Sequence, residues 1–334
     1  MLKKVYDEVK KILKNNYKSL ILFIVLLLAC TIEFPYYIEA PGGIIKVDNR
    51  VKVENSYEKS GSFNLAYVSE IKATIPTLLY SFVNKNWDVL KKEEVIYDNE
   101  TMKEADYRDK LLLEEAKNNA VIVAYTNANK KIELSNEHIF IIYVDEKADT
   151  DLKIGDEIIE VEGIKITSKK QLDEIMLEKN NNEKIKVIAK RNNKEVECYG
   201  TLREENNKKI IGLGVTKTSD IKTTPKIELE FKKSESGPSG GLVLALSIYN
   251  SLVSEDITQG RKIVGTGTID VNGNVGSIGG VEYKIKGAVK EKADIFLVPA
   301  GENYEEAQKV IEENNYKIKL IPVTTFNDAL EKLK

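Results

Sequence analysis

Histidine is the scarcest reactive side chain here: among 334 residues there is one, His138. A Ser-His-Asp arrangement within the carboxy-terminal domain is therefore excluded, while a Ser-Lys variant remains available. His138 opens a strand pattern, where a structural role is preferred to that of a ligand or pH sensor. Cysteines number two, Cys30 and Cys198, too few for a disulfide scaffold. Cys198 lies in a strand pattern and reads as a small core residue rather than a nucleophile. No His, Cys and Asp grouping has metal-ligand spacing, so neither a metal nor another cofactor is expected. Gly-x-x-x-x-Gly-Lys-Ser/Thr does not occur, which excludes a P-loop ATPase module from this polypeptide. Lys and Arg total 50 against 53 Asp and Glu, a net charge of −3, and no basic patch carries interleaved aromatics. No nucleic-acid partner is expected.

What is present begins with a basic segment. Lys3, Lys4, Lys10, Lys11, Lys14 and Lys18 precede the apolar run Leu20 to Ile32, opposed only by Asp7 and Glu8. That order directs the lysines to the cytoplasm and the remainder across the membrane. The run is shorter than the roughly 20 residues of a comfortable span, which keeps a cleaved signal peptide open. Tyr17 and Phe34-Pro35-Tyr36-Tyr37 supply interfacial aromatics at both ends and favour an uncleaved anchor. Leu27-Leu28-Ala29-Cys30 is a loose lipobox with an atypical second leucine, the least favoured reading. The expected division is 1–18 basic and cytoplasmic, 19–38 anchor, 39–129 a membrane-proximal α/β region packing on the last domain, 130–205 a small β-rich domain, and 206–334 an α/β domain. Within the third part, strand patterns cover Val47 to Asn55 and Gly61 to Lys72, and a helix covers Thr101 to Ala128.

The stretch Glu235 to Lys292 carries the candidate chemistry. Pro238 suits the first turn of a helix, which predicts a helix from Pro238 onward with Ser239 in its first turn. There, free backbone N–H groups and the helix dipole would stabilise a developing oxyanion. Gly237, Gly240 and Gly241 clear space around the hydroxyl, and the apolar run Leu242 to Leu252 predicts a buried helix. Asn272-Gly273 signals a hairpin between Ile263 to Val271 and Asn274 to Ile278. Val281, Ile285, Ala288 and Val289 then recur at helical spacing, placing Lys284 on the buried face and Lys286 and Lys290 outward. A desolvated lysine loses preference for its charged form and, as a neutral amine, accepts a proton from a serine hydroxyl. Taken singly, Ser239 is ordinary turn chemistry and Lys284 a snorkelling cation; their joint presence is the signal.

Gly-Pro-Ser-Gly-Gly at 237–241, Gly-Thr-Gly-Thr at 265–268 and Gly-Gly-Val-Glu-Tyr-Lys at 279–284 resemble the Lon-type protease domain with its Ser-Lys dyad. The resemblance implies Ser239 as nucleophile, Lys284 as general base, and Thr266 as the threonine that supports the lysine. Gly240 stands where alanine is more usual and Ser277 where proline is common; neither position supplies a reacting group.

Residues 130–205 read as His138 to Val144 strand, Leu152 to Ile159 turn and strand, Val161 to Ile164 hairpin, a helix from Ser168 to Leu177 capped by Ser168, and strands at Lys184 to Lys190 and Lys194 to Leu202. With Leu-Lys-Ile-Gly-Asp-Glu-Ile and Val-Glu-Gly at its centre, this resembles a bacterial PDZ domain. Such a domain implies capture of an extended peptide, here along Ile139 to Val144, or else a spacer that gates access. Gly212-Leu213-Gly214-Val215 is read as the first strand of the last domain. The order of parts is similar to the membrane-anchored, ATP-independent Lon-like proteases of Gram-positive bacteria, the SepM/YlbL type. The resemblance implies an α/β (α+β) Lon-type domain beside a β-rich PDZ-like domain and one transmembrane helix. Its implied activity is an endopeptidase outside the cell, with peptide or protein substrates, membrane lipid around the anchor, and a ring-shaped homo-oligomer. The competing reading is a PDZ-based membrane adaptor with a non-catalytic Lon-type domain.

Overall fold

The computed structural model describes residues 2–97, 100–206 and 208–334. Met1 and the side chains of Lys4 and Asp7, counted in the basic segment, lie outside the described residues. The chain divides into two compact units, residues 1–41 with 68–95, and residues 42–67 with 96–334.

In the first unit helix α1 (Leu2–Thr31) is interrupted by non-helical geometry at Asn16, whose side-chain amide donates to the Ile12 carbonyl at 2.9 Å. Lys10–Thr31 forms a 22-residue stretch of mean hydropathy 1.6, none of it buried. Strands β1 (Tyr36–Lys46) and β2 (Ser62–Lys72) contribute to both units. Helix α2 (Ile75–Ser81) and strand β3 (Asp88–Lys91) also belong to the first. Strand β3 pairs antiparallel with the start of β1, from Tyr36↔Lys91 to Glu39↔Asp88.

The second unit contains helix α3 (Met102–Asn127), flanked by Thr101 and Ala128. Its start is fixed locally, because Thr101 accepts from the Glu104 N–H while the Glu104 carboxylate accepts from the Thr101 N–H, satisfying two amides that a helix leaves without partners. A small antiparallel sheet follows: β4 (Lys131–Val144), β5 (Glu157–Val161), β6 (Lys184–Arg191), β7 (Lys194–Thr201) and β8 (Leu213–Thr224). Helix α4 (Lys169–Glu178) is capped by Ser168, whose hydroxyl accepts from the Gln171 N–H at 3.2 Å. Alternating residues of these strands bury Ile139, Ile141, Ile158, Ile185, Val187 and Cys198 in one core, as period-two burial requires. The strand order is β8-β4-β5-β6-β7.

That order corrects two expectations. Val144 to Ile139 lie opposite Leu213 to Lys217, and the pairing continues to Lys131↔Thr224. The edge reserved for a peptide is therefore occupied by the chain's own strand. The segment read as the first strand of the last domain is the edge strand of the PDZ-like sheet. Alternation tells which face of a strand is buried, but not which neighbour it pairs with.

The last part holds helices α5 (Gly241–Leu252), α6 (Val281–Lys290), α7 (Glu302–Asn314) and α8 (Phe326–Leu333). Its strands are β9 (Lys262–Gly265), β10 (Thr268–Ile269), β11 (Val275–Gly276), β12 (Ile295–Pro299) and β13 (Lys319–Val323). Strand β9 runs parallel to β2 and β12, and β12 parallel to β13. The continuous apolar run Ile-Phe-Leu-Val in β12 is what a parallel strand covered on both faces needs. Phe63, Ile263, Leu297 and Ile321 face α3, α5 and α8 in one core, and Ala66, Val264, Phe296 and Val298 face α6 and α7 in another. Helix α5 is buried on nearly every side, so truncating Leu246 to Ala would cost about 2–5 kcal/mol. Only part of the long hairpin expected around Asn272-Gly273 is one: β10 pairs with β11 over two residues each, while Ile263 to Gly265 belong to the parallel sheet.

Candidate active site

The turn bearing Ser239 is held from three directions. Gly237, at φ +86°, donates its N–H to the Asp109 carbonyl of α3 at 2.9 Å. The Gly241 N–H closes the turn on the Pro238 carbonyl at 3.1 Å. The Ser239 carbonyl accepts from the Gly267 N–H at 2.7 Å and from the Thr266 hydroxyl at 3.1 Å, and the Gly267 carbonyl accepts from the Leu242 N–H at 3.1 Å. Thr266 is fully buried, and its own N–H is committed to Leu297 at 3.0 Å. The hydroxyl thus meets the backbone of the serine.

The helix after this turn begins at Gly241, with Gly240 as its cap, and not at Pro238. The reason lies in the bonds just described: Gly241 folds back on Pro238 in a tight turn, and the helical ladder starts with the Leu244 N–H on the Gly240 carbonyl at 2.9 Å. Ser239 therefore lies in the turn, half-buried. The amides of Gly241 and Leu242 already have acceptors, so an oxyanion would have to be met by the N–H groups of the turn itself.

Lys284 sits on α6, 4% exposed, on the face that also buries Val281, Ile285 and Ala288. Its amine donates to the Gly279 carbonyl at 2.8 Å. Gly280, at φ +66°, makes the left-handed step by which the chain enters the helix, a step that favours glycine. Lys286, expected to point outward, is folded in at 10% side-chain exposure against Glu282, the i,i+4 partner that draws it back along the helix. Lys290 is exposed. Helix α6 lies close against β1 because Gly287 has no side chain: a Cβ there would come within 3.1 Å of the Gly43 backbone.

Three supporting residues were not singled out from the sequence. Asn303 exchanges two hydrogen bonds with the backbone of Ile278, its carbonyl accepting and its amide donating at 2.9 Å each, which fixes the loop before Lys284. Glu235, four residues before Ser239, holds Arg50 through Nε and Nη2 at 2.6–3.2 Å. Asn119 donates to the Ile269 carbonyl at 3.0 Å. None of the three has a local sequence signal, because each partner is remote in the chain. Beside the Ser239 turn lies a cavity of about 370 Å³ between α3 and the β10-β11 hairpin, lined by Leu112, Glu115, Ala116, Pro238 and Val275 among others.

His138 and Cys198 lie away from this turn, in the PDZ-like sheet. His138 joins three strands, with Nδ1 2.6 Å from Glu157 and Nε2 3.2 Å from Asp220. The Glu157 hydrogen bond, more than the opposing burial, raises the imidazole above its ordinary value. Cys198 is buried in the sheet core, and burial pushes its thiol up, which suits a packing residue.

Residues 230–333 match the model of the Lon protease (S16) C-terminal proteolytic domain. Among curated relatives, the Lon protease of Aster yellows witches'-broom phytoplasma (strain AYWB) is 30% identical over 97 residues, 29% of this chain and 12% of that protein. Lon protease 2 of Bacillus subtilis (strain 168) is 33% identical over 97 residues, 29% of this chain and 16% of that protein. The chain thus spans a small fraction of the length of the relatives it matches. Among solved structures, the PDZ domain of the SdrC-like protein from Listeria monocytogenes is 20% identical, covering 23% of this chain and 85% of that one, with a TM-score of 0.21. The corresponding domain from Listeria innocua is 23% identical, covering 23% and 92%, with a TM-score of 0.22. The family match over residues 230–333 supports a protease.

Proposed function

We propose that the chain is a membrane-anchored, ATP-independent serine endopeptidase that cleaves peptides or proteins outside the cell through a Ser239-Lys284 dyad. The observation that carries this reading is the clamp on the Ser239 carbonyl by Thr266 and Gly267. It holds the turn rigid while leaving the serine hydroxyl outside the clamp. Preorganisation of this kind gives a nucleophile its effective concentration. In the reaction the Ser239 Oγ forms a bond to the scissile carbonyl carbon as its proton passes to the Lys284 amine. Collapse of the tetrahedral intermediate breaks the C–N bond, and Lys284 returns the proton to the leaving amine. Water then releases the acyl group by the same path. Burial of Lys284 suits this role, since a base must be neutral to act, and Thr266 orients the serine turn rather than exchanging protons.

The cavity beside the turn is the natural place for substrate side chains. Because β8 fills the Ile139 to Val144 edge, the PDZ-like sheet is better suited to gating access than to adding a peptide strand there. The lysines before the apolar run Leu20 to Ile32 would keep the amino terminus in the cytoplasm and the proteolytic domain outside. A ring of several copies is proposed by analogy with the Lon-type domain.

The test is digestion of an unfolded protein by the full chain in proteoliposomes, without ATP or added metal, beside Ser239→Ala and Lys284→Ala. Cleavage by wild type alone supports the dyad. Equal cleavage by all three removes it. A folded, inactive wild type whose cellular phenotype survives Ser239→Ala supports the adaptor instead.

A further inference from the structure

Helix α2 and the turn after it contain Ile75, Leu78, Leu79, Tyr80, Phe82 and Val83, yet the helix has no buried residue. Leu79 is 63% exposed, Val83 78% and Phe82 85%. A seven-residue helix has little stability of its own, and large apolar side chains gathered at one exposed tip mark an interaction surface. The tip is nevertheless well formed. Thr74 and Thr77 cap the helix start at 2.7 Å, and the N–H groups of Val83 and Asn84 both return to the Tyr80 carbonyl at 3.1 and 3.0 Å. The Trp87 N–H donates to the Asn84 carbonyl at 3.0 Å. Tyr80 and Trp87 meet edge to face with centroids 4.7 Å apart.

The position of this tip selects its occupant. Helix α1 ends at Thr31, and the next residues are joined to those preceding α2: the Phe34 N–H donates to the Ala73 carbonyl at 2.8 Å, the Ala73 N–H to Tyr36 at 2.9 Å, and Lys72 pairs with Glu33 at 2.6 Å. Helices α1 and α2 also touch. If the Lys10–Thr31 stretch spans a bilayer, as the proposed function holds, α2 is fixed at the level where that span leaves the hydrocarbon. Trp and Tyr beside an apolar tip, with its turn amides internally bonded, are what the interfacial zone accommodates. We propose that residues 75–87 form a second membrane contact, with Leu79, Phe82 and Val83 inserted into the outer leaflet and Trp87 at the headgroup boundary. The lipid surface is the partner, and the anchored protein is held at two points instead of one.

Trp87 is the single tryptophan of the chain and reports on this contact directly. The full chain is reconstituted in phosphatidylcholine vesicles whose acyl chains are brominated either near the headgroup or near the methyl end. The expected result is blue-shifted Trp87 emission, quenched more strongly by the shallow bromines. Quenching is lost in Phe82→Asp/Val83→Asp, whose far-ultraviolet circular dichroism matches wild type. A protein that floats with the vesicles but leaves Trp87 unquenched overturns the contact while sparing the anchor. Quenching that survives the double substitution also overturns it, since the tip would not be what inserts. A chain that fails to float overturns the anchor, and the second contact with it.

Discussion

Arg50 and Glu235, 185 positions apart in sequence, form a fork in which Nη2 and Nε of the guanidinium meet both carboxylate oxygens, with both side chains largely buried. Glu235 also accepts the Lys232 N–H at 2.9 Å. The segment after β1 is thereby fastened to the approach to Ser239. Arg50→Met leaves a partly buried carboxylate without its partner and should cost about 1–3 kcal/mol of stability. Proteolysis should fall further than the shift in urea midpoint explains. Arg50→Lys, a point charge without the fork, should recover stability better than activity.

Thr266→Val keeps the shape of the side chain and removes the hydroxyl that meets the Ser239 carbonyl. The Gly267 N–H remains on that oxygen, so the loss of stability should be about 1 kcal/mol. If Thr266 orients the serine turn, kcat should fall at least tenfold with KM little changed, and Thr266→Ser should restore it. Equal rates in Thr266→Val and wild type would relieve Thr266 of any role beyond packing.

Asn303→Ala removes both bonds to Ile278 and leaves a partly buried backbone N–H without its acceptor. The loop before Lys284 should loosen, seen as faster amide exchange at 278–281, and activity should drop while the PDZ-like sheet melts as before. Asn303→Asp keeps the acceptor but not the donor, and should lie between the two.

His138 gives the PDZ-like sheet a pH dependence of defined sign. Its folded pKa is raised by Glu157 and Asp220 above the unfolded value of about 6.5. The stabilisation is therefore full below pH 6.5 and is lost as pH rises through the higher folded value. The pair is substantially exposed, so the effect should be about 0.2–1 kcal/mol. Urea midpoints should fall from mildly acidic to alkaline pH in wild type, and the dependence should flatten in His138→Gln.

What the sequence made legible was whatever is specified locally. The apolar pattern from Thr101 to Ala128 marked α3, Ser168 the start of α4, and the period of Val281, Ile285 and Ala288 the buried side of α6. The Ser239 turn was recognisable from its glycines, but its helix was placed three residues early. Pro238 is a good first helical residue, and nothing local announces that the chain folds back on it at Gly241. Periodicity alone points Lys286 outward, whereas the ion pair with Glu282 one turn earlier folds it in. The partner of β8, the Arg50-Glu235 fork and the Asn303-Ile278 exchange depend on residues far apart in the chain, which no pattern along a single segment contains.

Asn118 of α3 carries a consequence for the life of this sheet. Its amide donates to the Ser219 carbonyl at 2.8 Å, and its carbonyl accepts the Ser219 N–H at 3.1 Å, the pair of bonds a neighbouring strand would make at the outer rim of β8. One side chain thus plugs the place where a foreign strand would begin to zip on. An open rim is where a sheet is recruited into aggregates, and here the rim is stoppered at Ser219.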